Sequence, residues 1–294
     1  NNNLDFAAPI TGTGSVNINA VSGKTAEISG TVAANNVIIN NPAVNYKTVT
    51  VNDDGSVTTG TAGNLVSAGD VKLTGAVTAD NVAISAGTVY NDALLSVTGS
   101  DLVNAGRFYT SLSNLDVATY NIDNSGTLVL TGGENYNVIS GSGTTAIRGD
   151  ITNSGIILQN LTLSSGTFGI GGGYLDLTDK TFTAEGGHLN TQNSGIEETA
   201  LGNAILNATM DWAMDISLEN VTADKLTAAS KNGSGQIRIN AINLMSDNDY
   251  YHNYITVADD TLKSAIISAV YNASSSRYEY EVEYLASTGQ LHLM

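Results

Sequence analysis

The chain has 294 residues, 41% of them apolar, with 31 glycines, two prolines and no cysteine. That composition excludes a collagen, a proline-rich linker and wholesale disorder, and it leaves no disulfide framework, thiolate metal site or cysteine nucleophile. The formal charge of −17, from 28 acidic and 11 basic residues, disfavours nucleic acid and anionic lipid as partners.

Only 13% of the residues are charged, against about 25% in an ordinary globular domain. Asn, Thr, Ser and Gly fill the polar positions instead, which suits a surface of turns and short strands. The apolar runs are far shorter than a membrane span, so no direct membrane insertion of this segment is expected. The start, Asn1-Asn2-Asn3, carries neither Met nor a signal peptide and reads as a mature or trimmed product.

Along the chain, short bursts alternate apolar and polar residues: Val16-Asn17-Ile18, Thr48-Val49-Thr50-Val51, Thr127-Leu128-Val129-Leu130, Tyr174-Leu175-Asp176-Leu177. Gly, Asn, Asp and Ser separate them. Period-two bursts bounded by turn residues predict strands. Turn pairs recur at Asp54-Gly55, Thr74-Gly75, Ser125-Gly126, Ser154-Gly155 and Ser194-Gly195.

An internal repeat organises these strands. Residues 20–39 (AVSGKTAEISGTVAANNVII) align without gaps on residues 65–84 (LVSAGDVKLTGAVTADNVAI), with eight identities, among them Val21/Val66, Gly30/Gly75, Val32/Val77, Val37/Val82 and Ile39/Ile84. The 45-residue offset corresponds to two coils of roughly 22 residues, one turn of a β-helix each. A third echo, Val221 to Leu226 (VTADKL), matches Val77 to Val82 (VTADNV), and Asn-Ser-Gly recurs at 124–126, 153–155 and 193–195. One coil cannot bury its own apolar face, whereas stacked coils build a continuous inner column. Val, Ile, Leu and Ala are the inward candidates, Val37 and Val82 among them, with Asn and Gly at the corners. Stacked Asn side chains can bond along the axis. The expected fold is all-β, a parallel β-helix (β-solenoid) over residues 1–205, with terminal coils and a C-terminal β-hairpin cap over 206–294. A β-sandwich would show fewer internal echoes and more two-residue hairpins, and a closed barrel fits less well still.

From residue 208 the pattern changes. In Ala208 to Leu218, the residues Ala208, Met210, Trp212, Met214, Ile216 and Leu218 share one face, and Thr209, Asp211, Asp215 and Ser217 the other, which predicts a half-buried strand. Ala258 to Ser264 predicts one helical turn capped by Asp259 or Asp260. The end predicts a hairpin. Tyr278, Tyr280, Val282 and Tyr284 line one face and Glu279, Glu281 and Glu283 the other, before a turn at Ser287-Thr288-Gly289 and the return strand Leu291-His292-Leu293. Such an aromatic hairpin suits a cap over the open end of a solenoid.

Four spaced segments carry a resemblance: LENVTADKLTAAS (218–230), GSGQIRINAINLMSD (233–247), YITVADDTLKS (254–264) and YEYEVEYLASTGQLHL (278–293). In this order they resemble the C-terminal part of the passenger of large bacterial autotransporters, exported by type V secretion. The likeness covers roughly the last third of the chain. It implies a right-handed parallel β-helix, an autochaperone-like folding cap, export to the cell surface or beyond, and an outer-membrane translocator barrel C-terminal in the precursor. No translocator follows Met294 in the sequence, so its end is read as either a processing site or a boundary within a longer protein.

Catalytic patterns are absent. No HExxH, GxSxG or phosphate-binding loop occurs. His188 follows two glycines at a turn, His252 lies in a tyrosine-rich loop, and His292 is in the last strand. The pairs Asp53-Asp54, Glu197-Glu198 and Asp259-Asp260 are adjacent, so on a strand their side chains diverge. Asp211 and Asp215 share a face at roughly 13 Å, too far for a hydrolytic pair. Gly171 to Asp176 fits a calcium nonapeptide badly, Asn52 to Gly55 reads as a hairpin turn, and the Thr-x-Thr pairs lack a common spacing. No catalytic, cofactor-binding or metal-ligating residue is assigned, and no cofactor. The expected function is a non-enzymatic, structural and adhesive rod that binds host or matrix glycans or its own copies. The competing class is a polysaccharide-degrading β-helix of the tailspike or lyase type, which needs carboxylates beside Arg or Lys in one groove.

Overall fold

The computed structural model describes, before residue 86, the strands alone, with side chains given only for residues 82–84. From 86 on it describes the chain except residues 173, 176 and 247–252 and the side chains of 174 and 253. The chain forms two compact units, Asn1–Thr145 and Ala146–Met294. Both are β-solenoids of parallel sheets, and the second ends in an antiparallel hairpin sheet.

In the first unit each coil contributes one short strand to each of three sheets. The first sheet includes Ala26–Ile28, Val49–Val51, Val71–Leu73, Thr88–Asn91, Arg107–Thr110 and Thr127–Leu130. The second runs from Ile10–Thr11 to Leu115–Asp116, and the third includes Asn36–Asn40, Asn64–Ser67, Asn81–Ile84, Leu102–Asn104 and Ile122–Asn124. The strands form where two or three β-branched or aliphatic residues alternate with polar ones, and they stop at Gly, Asn or Ser.

The internal repeat is two coils in every sheet. Ala26 pairs with Val49 and Val49 with Val71. Val32 pairs with Val57, then Val77, and Val37 with Leu65, then Val82. Each chain of partners spans 45 residues (26 to 71, 32 to 77, 37 to 82), although the single steps range from 17 to 28. Loops of unequal length are therefore compensated within two coils, and the stacking register is kept. Val82 is 2% exposed and faces inward; the side chain of Val37 lies outside the described residues.

In-register stacking places like residues above one another. Val89, Phe108 and Leu128 form one inner column and Leu102, Ile122 and Ile139 another, all at most 3% exposed. Each such side chain removed from water contributes about 1.5–3 kcal/mol. Polar columns run at the corners. Asn104 Nδ2 donates to Asn124 Oδ1 at 2.7 Å, and Asn91 Nδ2 to Thr110 Oγ1 at 3.1 Å. The buried Oδ1 atoms of Asn91 and Asn104 have no hydrogen-bond partner. The register supplies the reason: the preceding coil places Leu73 opposite Asn91 and Ile84 opposite Asn104, so both asparagines begin their polar columns. Glycines stack at one corner. A Cβ on Gly126 would lie 2.0 Å from the Gly106 oxygen, and one on Gly143 2.2 Å from the Gly126 oxygen.

The second unit keeps the stacking and lengthens its coils. Phe182 and Ala204 are register partners 22 residues apart, Ala204 and Lys231 are 27 apart, and Ile237 and Ile266 are 29 apart. Its main inner column is Ile151, Phe168, Leu189, Trp212 and Ile239. The echo at Val221 to Leu226 does not repeat the coil of its counterpart. Thr222–Ala223 turns back antiparallel against Ile216 and Ser217, and Lys225–Thr227 pairs with Glu198–Ala200 in a separate two-stranded sheet.

The expected hairpin is present. Glu279–Leu285 pairs antiparallel with Gln290–Leu293, and Asn253–Thr256 and Asn272–Ser274 flank them. Tyr280 and Val282 are buried while Glu279, Glu281 and Glu283 are exposed. The Tyr284 hydroxyl donates to the Lys263 carbonyl at 2.8 Å, and its burial pushes the phenol well above its ordinary pKa. The expected turn is a 3₁₀ segment, Lys263–Ala265. Asp259 Oδ1 accepts from the N–H of Thr261 and Leu262, and its Oδ2 accepts from Ala228 N–H at 2.9 Å, tying the turn to an earlier coil.

The glycine column gives a direct test of stacking. Gly126→Ala should lower stability by roughly 1–3 kcal/mol, because the methyl meets backbone that cannot rotate away. Gly169→Ala, whose nearest contact would be an ordinary 3.7 Å, should be tolerated far better. Urea denaturation of the two variants measures the difference, and equal midpoints would contradict the stacked corner.

Candidate functional site

The strand Met210–Ser217 departs from the half-buried pattern. Its aspartate face is covered as well, with Asp215 0% and Asp211 9% exposed. Asp211 is held between Arg238 and His188, and Asp215 is met by the segment Thr191 to Glu197. Successive N–H groups of Asn193 and Ser194 donate to Asp215 Oδ2 at 2.9 and 2.8 Å, and Asn243 Nδ2 donates to Oδ1 at 2.6 Å. Ser194 adopts φ 67°, the left-handed step that lets consecutive amides converge on one anion. Asp224 is buried beside this group. Its Oδ2 accepts from the Thr191 hydroxyl at 2.7 Å and from Asp215 N–H at 2.8 Å, and its Oδ1 from Glu197 N–H at 3.0 Å. Thr191 in turn accepts from Trp212 Nε1 at 3.1 Å. Burial pushes the Asp224 carboxyl up to about 6, aided by the Asp215 charge and opposed by those donated hydrogen bonds.

This network holds the floor of a cleft. Ile196, Glu197, Glu198, Val221 to Ala223, Lys225 and Tyr254 to Thr256 enclose about 390 Å³. Tyr254 is 52% exposed. One ring face stacks on His292, with centroids 4.2 Å apart and planes 5° from parallel. Lys225 Nζ donates to Glu198 Oε2 at 3.0 Å. At the rim Val221 has φ 54°, a conformation that a β-branched residue adopts only under constraint.

A second cleft, in the first unit, lies where the second sheet ends at Leu115–Asp116 and also measures about 390 Å³. Asp116, Glu134 and Tyr136 line it, and the Tyr136 hydroxyl donates to Glu134 Oε2 at 2.5 Å. The Tyr136 ring is 70% exposed. The Tyr254 cleft is the better-built of the two, because its aromatic ring is fixed by a stacked neighbour and it offers charges of both signs.

The histidines and carboxylates of the sequence fall into structural roles. His188, Asp211 and Arg238 are register partners on neighbouring strands. Arg238 grips Asp211 through Nε and Nη2 at 2.6 and 2.9 Å, and His188 Nδ1 lies 3.4 Å from Asp211 Oδ2. Sequence patterns miss this trio because its members are 23 and 27 residues apart; only the coil spacing could have revealed it. The guanidinium holds Asp211 below the usual carboxylate range and engages both its oxygens, which makes it a poor base. Asp211 and Asp215 enter separate networks, with a register shift between Trp212 and Ala213 separating them. Glu197 accepts from Asn193 Nδ2, Glu198 pairs with Lys225, Asp259 caps a turn and Asp260 pairs with Lys263. His292 is buried under Tyr254. His252, Asp53, Asp54, the turn at residues 52–55, and Gly173 and Asp176 of the nonapeptide candidate lie outside the described residues.

Among the described residues no three of His, Asp and Glu come together as a metal-binding group, and no helix is long and apolar enough to cross a membrane. Compared with protein-family models, curated proteins and solved structures, the chain matches none.

The buried Asp224 predicts an unusual pH response. Its folded pKa, about 6, is raised above the unfolded value of about 3.9. This group's contribution therefore favours the fold increasingly as pH falls from about 7 towards 4, and it is lost as pH rises through 6. The difference in unfolding free energy between wild type and Asp224→Asn should change by on the order of 2–3 kcal/mol over that window. Urea midpoints collected from pH 4.5 to 7.5 check this; parallel profiles for the two proteins would contradict it.

Proposed function

We propose that this chain is part of an extracellular passenger of the bacterial autotransporter type, a structural and adhesive β-solenoid that contacts host or matrix glycans or its own copies and catalyses no reaction. One observation carries the reading most. His188, Asp211, Arg238, Asp215, Asp224 and Asp259 hold coil to coil or cap to coil, whereas the groups that line the shallow clefts include exposed aromatic and hydrogen-bonding side chains. A repeating fold that holds its charged groups in stacking contacts suits a spacer with contact surfaces. Export is supported by the lack of cysteine, the neutral polar surface and the spaced motifs of the last third of the sequence.

The enzymatic alternative has one observation in its favour: His188, Asp211 and Arg238 do meet on an outer face, as a polysaccharide-degrading site requires of a carboxylate and a cation. Against it, both Asp211 oxygens are held by Arg238, and no second carboxylate at hydrolytic distance accompanies them among the described contacts.

A glycan array incubated with the purified chain, scored for retention and for cleavage products, separates these readings. Retention without cleavage is the expected result. Cleavage that is abolished by Asp211→Asn would establish the enzyme instead, and the absence of both retention and self-association would remove the adhesive role.

A further inference from the structure

We infer that the Tyr254 cleft is a saccharide subsite selective for neutral pyranosides; the inference rests on the adhesive reading and assigns it a place and a chemistry. Three features converge there. The Tyr254 ring has one face packed on His292 and lines the cleft, half-exposed, with the rest of its surface. Its orientation is thus set before any ligand arrives, which lowers the ordering cost of binding. A π face presented this way attracts the slightly positive C–H groups on the apolar side of a pyranose ring. Opposite charges flank it. The Lys225 ammonium has three donors, one engaged by Glu198 at 3.0 Å, and the Glu198 carboxylate is 57% exposed, so together they offer donor and acceptor to adjacent hydroxyls. Thr222 and Thr256 add hydroxyls to the lining. The volume, about 390 Å³, lies at the small end of the roughly 300–1,000 Å³ usual for small-molecule sites, fitting one or two sugar units.

The charge balance sets the class of sugar. The charged lining groups are Glu197, Glu198 and Lys225, one net negative charge, in a chain of net charge −17. Uronate and sialate carboxylates are repelled by this field, and neutral hexopyranosides are not. The position of Val221 fits the same role: its left-handed backbone, φ 54°, holds an apolar side chain 42% exposed at the rim. The cleft floor is rigid, since Glu197 and Lys225 flank segments anchored by Asp224. Positions on a strained but anchored loop are where binding groups concentrate.

The test uses the full chain and two readouts. Saturation-transfer NMR with methyl glucoside, galactoside and mannoside and with glucuronic acid reports the class of sugar, and the glycan array reports retention. Neutral pyranosides should show transfer and glucuronic acid little. Tyr254→Leu and Lys225→Met should each weaken retention at least about tenfold, the loss expected of a central contact residue, while Tyr254→Phe, which keeps the ring, should remain close to wild type. Lys225→Met leaves the Tyr254–His292 stack intact and decides the matter should Tyr254→Leu disturb the cap. Retention unchanged in both variants, or a preference for the uronate, would overturn the subsite and leave the adhesive reading standing. No retention by the wild type would overturn the subsite, and would overturn the adhesive reading as well only if the chain also failed to self-associate.

Discussion

Everything in this molecule depends on coils stacking in parallel register. A coil of two or three strands, each two to eight residues long, has no interior of its own. When the next coil lies on it with the same residues aligned, an inner column of Val, Leu, Ile and Phe closes, and the strand edges find their hydrogen-bond partners. The same constraint selects corner residues that tolerate a neighbour directly above. Gly126 cannot carry a Cβ because the Gly106 carbonyl occupies that space, and Asn104 can be buried because Asn124 lies on it and accepts its amide. Where the register brings an apolar residue instead, as at Leu73 and Ile84, a buried asparagine oxygen is left without a partner. These orphans mark where one column type begins, and they cost stability that the apolar columns offset.

Much of this was legible in the sequence, because a repeat carries its own three-dimensional period. The alignment of residues 20–39 with 65–84 is reproduced strand by strand as a two-coil register, and the alternation in the strand Glu279–Leu285 corresponds to a face where Tyr280 and Val282 are buried and a face where Glu279, Glu281 and Glu283 are exposed. What stayed hidden is what the period does not determine. The face of Asp211 and Asp215 looked open since no local pattern shows that Arg238 and His188 will hold the first or that Thr191 to Glu197 will fold onto the second. The contacts that bury Asp215 and Asp224 join residues 9 to 33 apart, set by loops rather than by the coil. The VTADKL echo is one of sequence alone: Thr222–Ala223 pairs antiparallel with the strand before it and Lys225–Thr227 joins a separate two-stranded sheet, whereas Val77–Ala79 and Asn81–Ile84 lie in the stacked parallel sheets.

The Tyr254 cleft shows how a site arises on such a scaffold. In the second unit, steps of 21 and 22 residues, as from Leu161 to Phe182 and on to Ala204, leave little beyond strands and corners, and steps of 27 to 29 residues provide the extra segments that fold back and create concavity. These segments are irregular, so they are held by side chains rather than by ladders: Asp215 by a pair of amides, Asp224 by three donors, Asp259 by a turn and an earlier coil. The acidic residues of the second unit thus substitute for backbone pairing where pairing stops.

The stacking register itself is open to a chemical measurement, since the chain has no cysteine of its own. Thr162 and Thr183 are register partners on adjacent coils, both partly exposed on the outer face, and Ile205 is the next partner along. With coils about 4.8 Å apart, cysteines at the first two positions fall within the Cα separation a disulfide tolerates, about 4.4–6.8 Å, and those two coils apart do not. Under mild oxidation at low protein concentration, the variant Thr162→Cys with Thr183→Cys should form an intramolecular disulfide, and Thr162→Cys with Ile205→Cys should remain reduced. Failure of the first pair to close, or closure of both at the same rate, would contradict in-register stacking and with it the account of columns, corners and cap that rests upon it.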